Sequence, residues 1–174
     1  LAFVLLSIPA LANPEHKDRT KPAEAFADLL WFPTGGGKTE AYLGVAAFTM
    51  AIRRLQGNLG GFDSSRGLAV IMRYTLRLLT LQQFQRATAL ICAMEVIRRE
   101  VLVTGDSRLG EIPFTIGLWV GNKVTPGTTQ ASHQAIKDIR DPEKFNAGST
   151  SPAQLTSCPW CGEEIDPGKH IEVN

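Results

Sequence analysis

The chain has 174 residues, enough for one domain of ordinary size or for part of a larger one. Its 18 lysines and arginines balance 17 aspartates and glutamates, which excludes nucleic-acid binding through overall positive charge, so any such contact must be local. Its three cysteines are too few for the disulfide framework of a small secreted protein, and the composition favours a reducing cytoplasm.

The apolar start of the chain, Leu1 to Ala12, imitates a signal peptide, with Ala10-Leu11-Ala12 in the place of a cleavage site. Because no basic segment precedes this run, we predict a buried helix of a chain that begins further upstream; a targeting segment is the alternative. The run is too short to span a membrane. A polar segment with two prolines follows, from Asn13 to Glu24, and is typical of a surface connection.

Apolar segments then alternate with a glycine loop and helical patterns. We predict a buried parallel strand over Ala27 to Phe32, a helix over Thr39 to Leu55 and a second strand over Leu68 to Met72. From Leu76 to about Glu100, apolar residues recur every three or four positions, which predicts a long amphipathic helix. Phe114 to Val120 is typical of a third strand.

This alternation predicts an α/β fold with ligands at the carboxyl ends of parallel strands. We expect a partial, doubly wound parallel sheet with helices on both faces over residues 1–121 and a linker or insertion over 122–157. A zinc-knuckle-like insertion, the first half of a zinc knuckle, is predicted over 158–174. Within the linker, the residues near Gln134 to Ile139 form a weak helical pattern.

The loop between the first predicted strand and helix has the chemistry of a phosphate cradle. Only glycines let several backbone N–H groups point at one place without Cβ clashes, and a helix N-terminus behind them adds partial positive charge. We predict that these amides face the phosphates, that Lys38 contacts the β- and γ-phosphates, and that Thr39 binds Mg²⁺. The predicted nucleotide-binding residues are Thr34, Gly35, Gly36, Gly37, Lys38 and Thr39, of which Lys38 and Thr39 are also the catalytic candidates.

A glycine turn that needs no ligand is the alternative interpretation of this loop. The loop departs from the pattern G-x-x-x-x-G-K-[ST] at one position, because Phe32 stands where the first glycine would be.

Three segments together resemble a known family: Leu30 to Tyr42, Met72 to Gln83, and Gly117-Leu118-Trp119-Val120-Gly121. The first is similar to motif I of superfamily 2 helicases and translocases, and the second falls where motif Ia of that family would. The set most resembles the helicase-like protein of the DISARM antiphage defence system, over roughly residues 1 to 165. The resemblance implies that residues 1–121 form a partial ATP-binding lobe with the parallel sheet of a P-loop NTPase (RecA-like). It also implies ATP and Mg²⁺ as cofactors, a nucleic-acid track (DNA backbone), other defence proteins as partners, and no membrane.

In such helicases, motif Ia contacts the nucleic-acid backbone, which implies phosphate contacts for Arg73, Thr75 and Arg77 here. The alternative for Arg77 is a place on the solvated face of the long helix. Thr125-Pro126-Gly127 stays unassigned, because it fits either motif Ib or an ordinary turn.

Cys158-Pro159-Trp160-Cys161-Gly162 has the form of a zinc knuckle, in which a tight turn lets two thiolates reach one metal ion. His170 could supply a third ligand, but a second cysteine pair beyond Asn174 fits a tetrahedral site better. A redox pair is the competing interpretation, although no helix pattern follows the motif. Cys92 is expected in the core.

The sequence contains no acidic motif II, the apolar strand ending in Asp-Glu that such an ATPase needs to hold Mg²⁺. We therefore expect the N-terminal part of a motor, able to bind ATP and unable to hydrolyse it alone. The alternatives are a non-motor P-loop protein, such as a nucleotide kinase or regulatory ATPase module, and a zinc-dependent binding module.

Overall fold

The computed structural model describes residues 1–20, 27–31, 33, 35–59, 61–74, 77–141, 143 and 150–174, and of residues 62 and 77–79 it describes the backbone only. Its elements are five helices and two short strands. They are α1 (Ala2–Ala12), α2 (Lys38–Gln56), β1 (Asn58–Leu59), β2 (Phe62–Asp63), α3 (Arg77–Val103), α4 (Thr129–Arg140) and α5 (Pro167–His170).

The predicted RecA-like parallel sheet is wrong. The only ladder among the described residues is the antiparallel pair β1–β2, with Asn58 opposite Asp63 and Leu59 opposite Phe62. Residues 27–31, 68–72 and 114–120, where strands were predicted, have no regular secondary structure as far as the structure describes them.

Several apolar side chains of these segments are exposed to solvent, contrary to the predicted buried strands. Leu29 is 82% exposed, Ile71 78% and Trp119 99%. An apolar run predicts that side chains favour burial, but a strand exists only where a neighbouring backbone accepts and donates its hydrogen bonds. The described part of this chain supplies no such neighbour for these segments.

The helix predicted at the start of the chain is confirmed as α1, but its predicted burial is wrong. No residue of α1 is buried, and Leu6 is 81% exposed. α1 packs on α2, and a Cβ at Gly44 would lie 3.5 Å from Cγ2 of Val4, an ordinary van der Waals distance. The Gln56 side-chain amide also donates to the carbonyl of Ala12, which caps the end of α1.

The two long helices confirm the periodicity that predicted them. α2 begins one residue before the predicted start, and α3 extends three residues past the predicted end. Of α3, Ala87, Met94 and Arg98 are buried. α4 is longer than the weak pattern near Gln134 indicated, because the Thr128 hydroxyl caps it by accepting the N–H of Ala131 at 3.2 Å.

The chain divides into two compact units. The first consists of residues 1–73 and 90–114, and the second of residues 74–89 and 115–174. The first contains α1, α2 and the C-terminal half of α3, and the second contains α4 and α5. Within the part of the chain that the structure describes, no helix is long and apolar enough to cross a membrane.

Candidate functional site: a glycine loop at the start of α2

The glycine loop leads directly into α2, and its backbone angles require glycine. Gly35 has φ 85° and Gly37 has φ 77°, both in the left-handed region that side chains disfavour. The N–H of Gly36 donates to the carbonyl of Pro33 at 3.0 Å, which closes a turn with Gly35 at its third position. Gly37 is the N-cap of α2, and Lys38 is the first helical residue.

The chemistry of the loop depends on what its side chains and amides can reach. All three glycines are exposed, whereas Lys38 and Thr39 are half-buried against the start of the helix. The first amides of an α-helix have no acceptor within the helix, and they carry part of the positive end of its dipole. Gly37 has no side chain to cap these amides. An exposed anion could therefore approach the loop from solvent.

Two further features of the loop affect how an anion could bind. Glu40 lies in the first turn of α2, and its Oε2 would lie 3.9 Å from a Cβ on Gly37, so a carboxylate already stands near the positive helix end. The N–H of Gly36, which was predicted to face phosphate, donates a hydrogen bond to the carbonyl of Pro33. Thr34, the first predicted residue of the site, lies outside the described residues.

The predicted nucleic-acid residues are only partly described. Arg73 is exposed at the end of the extended segment that follows β2. Thr75 lies outside the described residues, and Arg77 is the first residue of α3, with its side chain outside the description. Phosphate contact by these residues stays a prediction.

Cys158 and Cys161 lie on the turn of a small hairpin. Its arms join through an antiparallel bridge between Ser157 and Glu164. Cys158 is half-buried and Cys161 is exposed, and the two are not joined as a disulfide. Among the described residues, no three histidine, cysteine, aspartate or glutamate side chains gather to hold a metal ion. His170 instead uses Nδ1 to accept the N–H of Asp166 at 3.0 Å.

A charged cluster on α3 was not predicted from the sequence. Glu95 accepts hydrogen bonds from Arg98 at 2.6 and 2.8 Å, from Arg99 at 2.8 Å and from the N–H of Phe114 at 3.1 Å. Arg98 is 5% exposed and also donates to the carbonyls of Gly110 and Glu111. The spacing of Glu95, Arg98 and Arg99 at i, i+3 and i+4 was the available signal.

The pKa of Glu95 reflects these contacts. The hydrogen bond from Arg98 is the largest cause, and it lowers the pKa of this carboxyl to about 2 despite the opposing effect of burial. The same hydrogen bond raises the pKa of Arg98. The cluster fastens residues 110–114 to α3 through hydrogen bonds to Gly110, Glu111 and Phe114.

An apolar cleft of about 310 Å³ lies beside this cluster in the first unit. Met94 and Phe114 form part of its wall, and the Arg54 guanidinium stacks over the Phe114 ring at 4.9 Å. Because its walls are almost entirely apolar, the cleft offers no catalytic group.

No family model matches the chain, but a known protein is similar to it. The chain is 38% identical over 169 residues to the DISARM protein DrmA of Bacillus paralicheniformis. The similarity covers 93% of this chain but only 14% of that protein. The chain thus spans about a seventh of the length of the relative. This similarity relates the chain to a DISARM protein.

Proposed function

We propose that this chain is the ATP-binding part of an antiphage-defence protein that moves along nucleic acid as an ATP-dependent helicase or translocase. The observation that carries the proposal is the position of Lys38 and Thr39. They are the first two residues of a 19-residue helix, directly behind an exposed loop with two left-handed glycines. The similarity to the DISARM protein DrmA supports the defence role and a partnership with other defence proteins.

Each residue of the loop has a distinct task in this proposal. The Lys38 ammonium neutralises charge on the β- and γ-phosphates, and the Thr39 hydroxyl holds the Mg²⁺ that accompanies ATP. The amides of Gly35, Gly37 and Lys38 complete the cradle, because the Gly36 amide already donates to Pro33. Gly35 and Gly37 keep the backbone close to the phosphates, since any Cβ there would be strained.

ATP hydrolysis needs more than this cradle. A carboxylate pair on an apolar strand is required to hold Mg²⁺ and position water, and these 174 residues do not contain one. We therefore expect the 174-residue chain to bind ATP without sustained turnover.

Replacing Lys38 with alanine should weaken Mg·ATP binding at least about tenfold, because a charge-assisted contact to phosphate contributes about 1.5–3 kcal/mol. Titration calorimetry of the 174-residue chain with Mg·ATP measures this directly. In a matched pair at Thr39, Thr39→Ser should keep the dependence of binding on Mg²⁺, and Thr39→Val should lose it. The helical circular dichroism of each variant checks that α2 has formed.

Equal affinity of the wild-type chain and Lys38→Ala for Mg·ATP would contradict the proposal. So would sustained ATP hydrolysis that Lys38→Ala leaves unchanged, because the activity would then have its source elsewhere.

For the nucleic-acid part, we expect the chain to bind single-stranded DNA with an affinity that falls as the salt concentration rises. Arg73→Ala should lower this affinity and should reduce the slope of log affinity against log salt concentration by about the contribution of one phosphate contact. Fluorescence anisotropy at several salt concentrations gives both quantities. Arg66→Ala removes another exposed arginine from the same region and is the control. If the two variants bind alike, Arg73 has no specific role. If ATP binds and DNA does not, the chain acts as a non-motor nucleotide-binding module.

A further inference from the structure

The Cys158–Cys161 turn has a backbone built for a definite geometry. The hairpin is closed by three backbone hydrogen bonds: Ile165 N–H to the Thr156 carbonyl at 3.0 Å, Cys158 N–H to the Glu163 carbonyl at 2.8 Å, and Gly162 N–H to the Cys158 carbonyl at 2.9 Å. Gly162 has φ 77°, which other residues disfavour, so the chain can reverse directly after Cys161. The hairpin holds both cysteines on one four-residue turn.

The surroundings of these cysteines do not match a packing role. Cysteine is among the most buried residue types, yet Cys161 is exposed and the neighbouring Trp160 is 54% exposed. Cys158 is half-buried, as is Cys92 within the long helix α3. A pair at the tip of a hairpin with one cysteine exposed is placed for a ligand rather than for a core.

A redox dithiol is also a poor match. Reactive C-x-x-C pairs owe their low thiol pKa in part to the N-terminus of a helix that follows the first cysteine. Here the residues after Cys161 form the second arm of the hairpin, and α5 begins only at Pro167. The site therefore lacks the positive helix end that would activate a thiolate.

The ligand count then determines what the pair can bind. Soft thiolates at this spacing select Zn²⁺, which is held tetrahedrally by four ligands in structural sites. The nearby carboxylate Asp166 is engaged with Lys169 at 3.1 Å and with the Gly168 N–H at 2.8 Å. His170 accepts the Asp166 amide through Nδ1. The described residues gather no third ligand, so the turn supplies half of a site.

We propose that Cys158 and Cys161 are two ligands of a four-thiolate zinc site, and that in the isolated 174-residue chain the other two come from the same turn of a second copy. Two identical turns related by a two-fold axis provide four sulfurs around one ion. The proposal is independent of nucleotide binding, since no residue of the glycine loop takes part.

The test is an anaerobic titration of the reduced 174-residue chain with Co²⁺, followed by displacement with Zn²⁺. We expect thiolate-to-cobalt charge-transfer absorption and tetrahedral d–d bands that saturate at one metal ion per two chains. Sedimentation should show a dimer that forms with Zn²⁺ and dissociates with a chelator. Because each thiol releases a proton on binding, the metal affinity should fall at lower pH.

The variants separate the explanations. Cys158→Ser and Cys161→Ser should each abolish the bands and the dimer, whereas Cys92→Ser, the third cysteine of the chain, should change neither. Unchanged helical circular dichroism shows that each variant has folded. Bands that survive Cys158→Ser would overturn the proposal, as would saturation at one ion per chain with loss on His170→Asn, which would make His170 the third ligand.

Discussion

Replacing Arg98 with alanine should lower the free energy of unfolding by about 3 kcal/mol, because it leaves the largely buried carboxylate of Glu95 without its main partner. The Arg98 side chain is 6% exposed and that of Glu95 is 14% exposed, so water cannot replace the lost contact easily. Two backbone carbonyls, those of Gly110 and Glu111, would lose their donor as well. Urea denaturation followed by circular dichroism measures the change.

Arg99→Ala is the matched control, because Arg99 bonds the same Glu95 carboxylate from solvent. Its side chain is 70% exposed, and exposed ion pairs contribute about 0.2–1 kcal/mol. The double substitution Glu95→Gln with Arg98→Met should recover part of the loss from Arg98→Ala, because no unpaired buried charge remains. Equal effects of Arg98→Ala and Arg99→Ala would show that burial of this ion pair has no influence on stability.

Acid should destabilise the chain through the same carboxylate. The pKa of Glu95 lies at about 2 in the folded chain, below its ordinary value of 4.5. A depressed pKa contributes stability above the unfolded pKa, and this stability is lost as the pH falls from about 4.5 towards 2. After allowance for solvent screening, we expect a loss of about 2 kcal/mol.

The measurement is the free energy of unfolding between neutral pH and pH about 2, for the wild-type chain and for Glu95→Gln. Glu95→Gln should be less stable at neutral pH and should show a shallower decline. Asp106 also has a pKa lowered to about 2, by its hydrogen bonds with Arg108, so Asp106→Asn is needed to isolate the contribution of Glu95. Parallel curves for wild-type and Glu95→Gln would contradict the assignment.

The chain corresponds to only part of the DISARM protein DrmA, which limits the function that the glycine loop can have by itself. The similarity covers 93% of this chain but only 14% of the relative. A nucleotide motor needs groups from several strands and a second lobe. In the proposed function, the loop binds phosphate, and movement along nucleic acid requires groups beyond those of the loop.

The sequence by itself determined the local features of this protein. Apolar residues at most positions predicted α2, and periodicity every three or four residues predicted α3. The glycines predicted a loop before a helix, and in the structure Gly35 and Gly37 have left-handed angles. The motif Cys-Pro-Trp-Cys-Gly predicted a tight turn. The structure has a hairpin at this motif, with a positive φ at Gly162. These features depend on residues close in sequence, so local pattern suffices to predict them.

Only the tertiary structure decided how the remaining segments are used. Leu68 to Met72 and Phe114 to Val120 are apolar, but a sheet requires partner strands from distant parts of a chain. Among the described residues, neither segment is a strand of a sheet. The hydrogen bonds that join Arg98 to the carbonyl of Gly110 and Glu95 to the N–H of Phe114 could not be predicted from the sequence either. Helix spacing predicts which charges share a face, but only packing decides whether that face is buried and which distant backbone it holds.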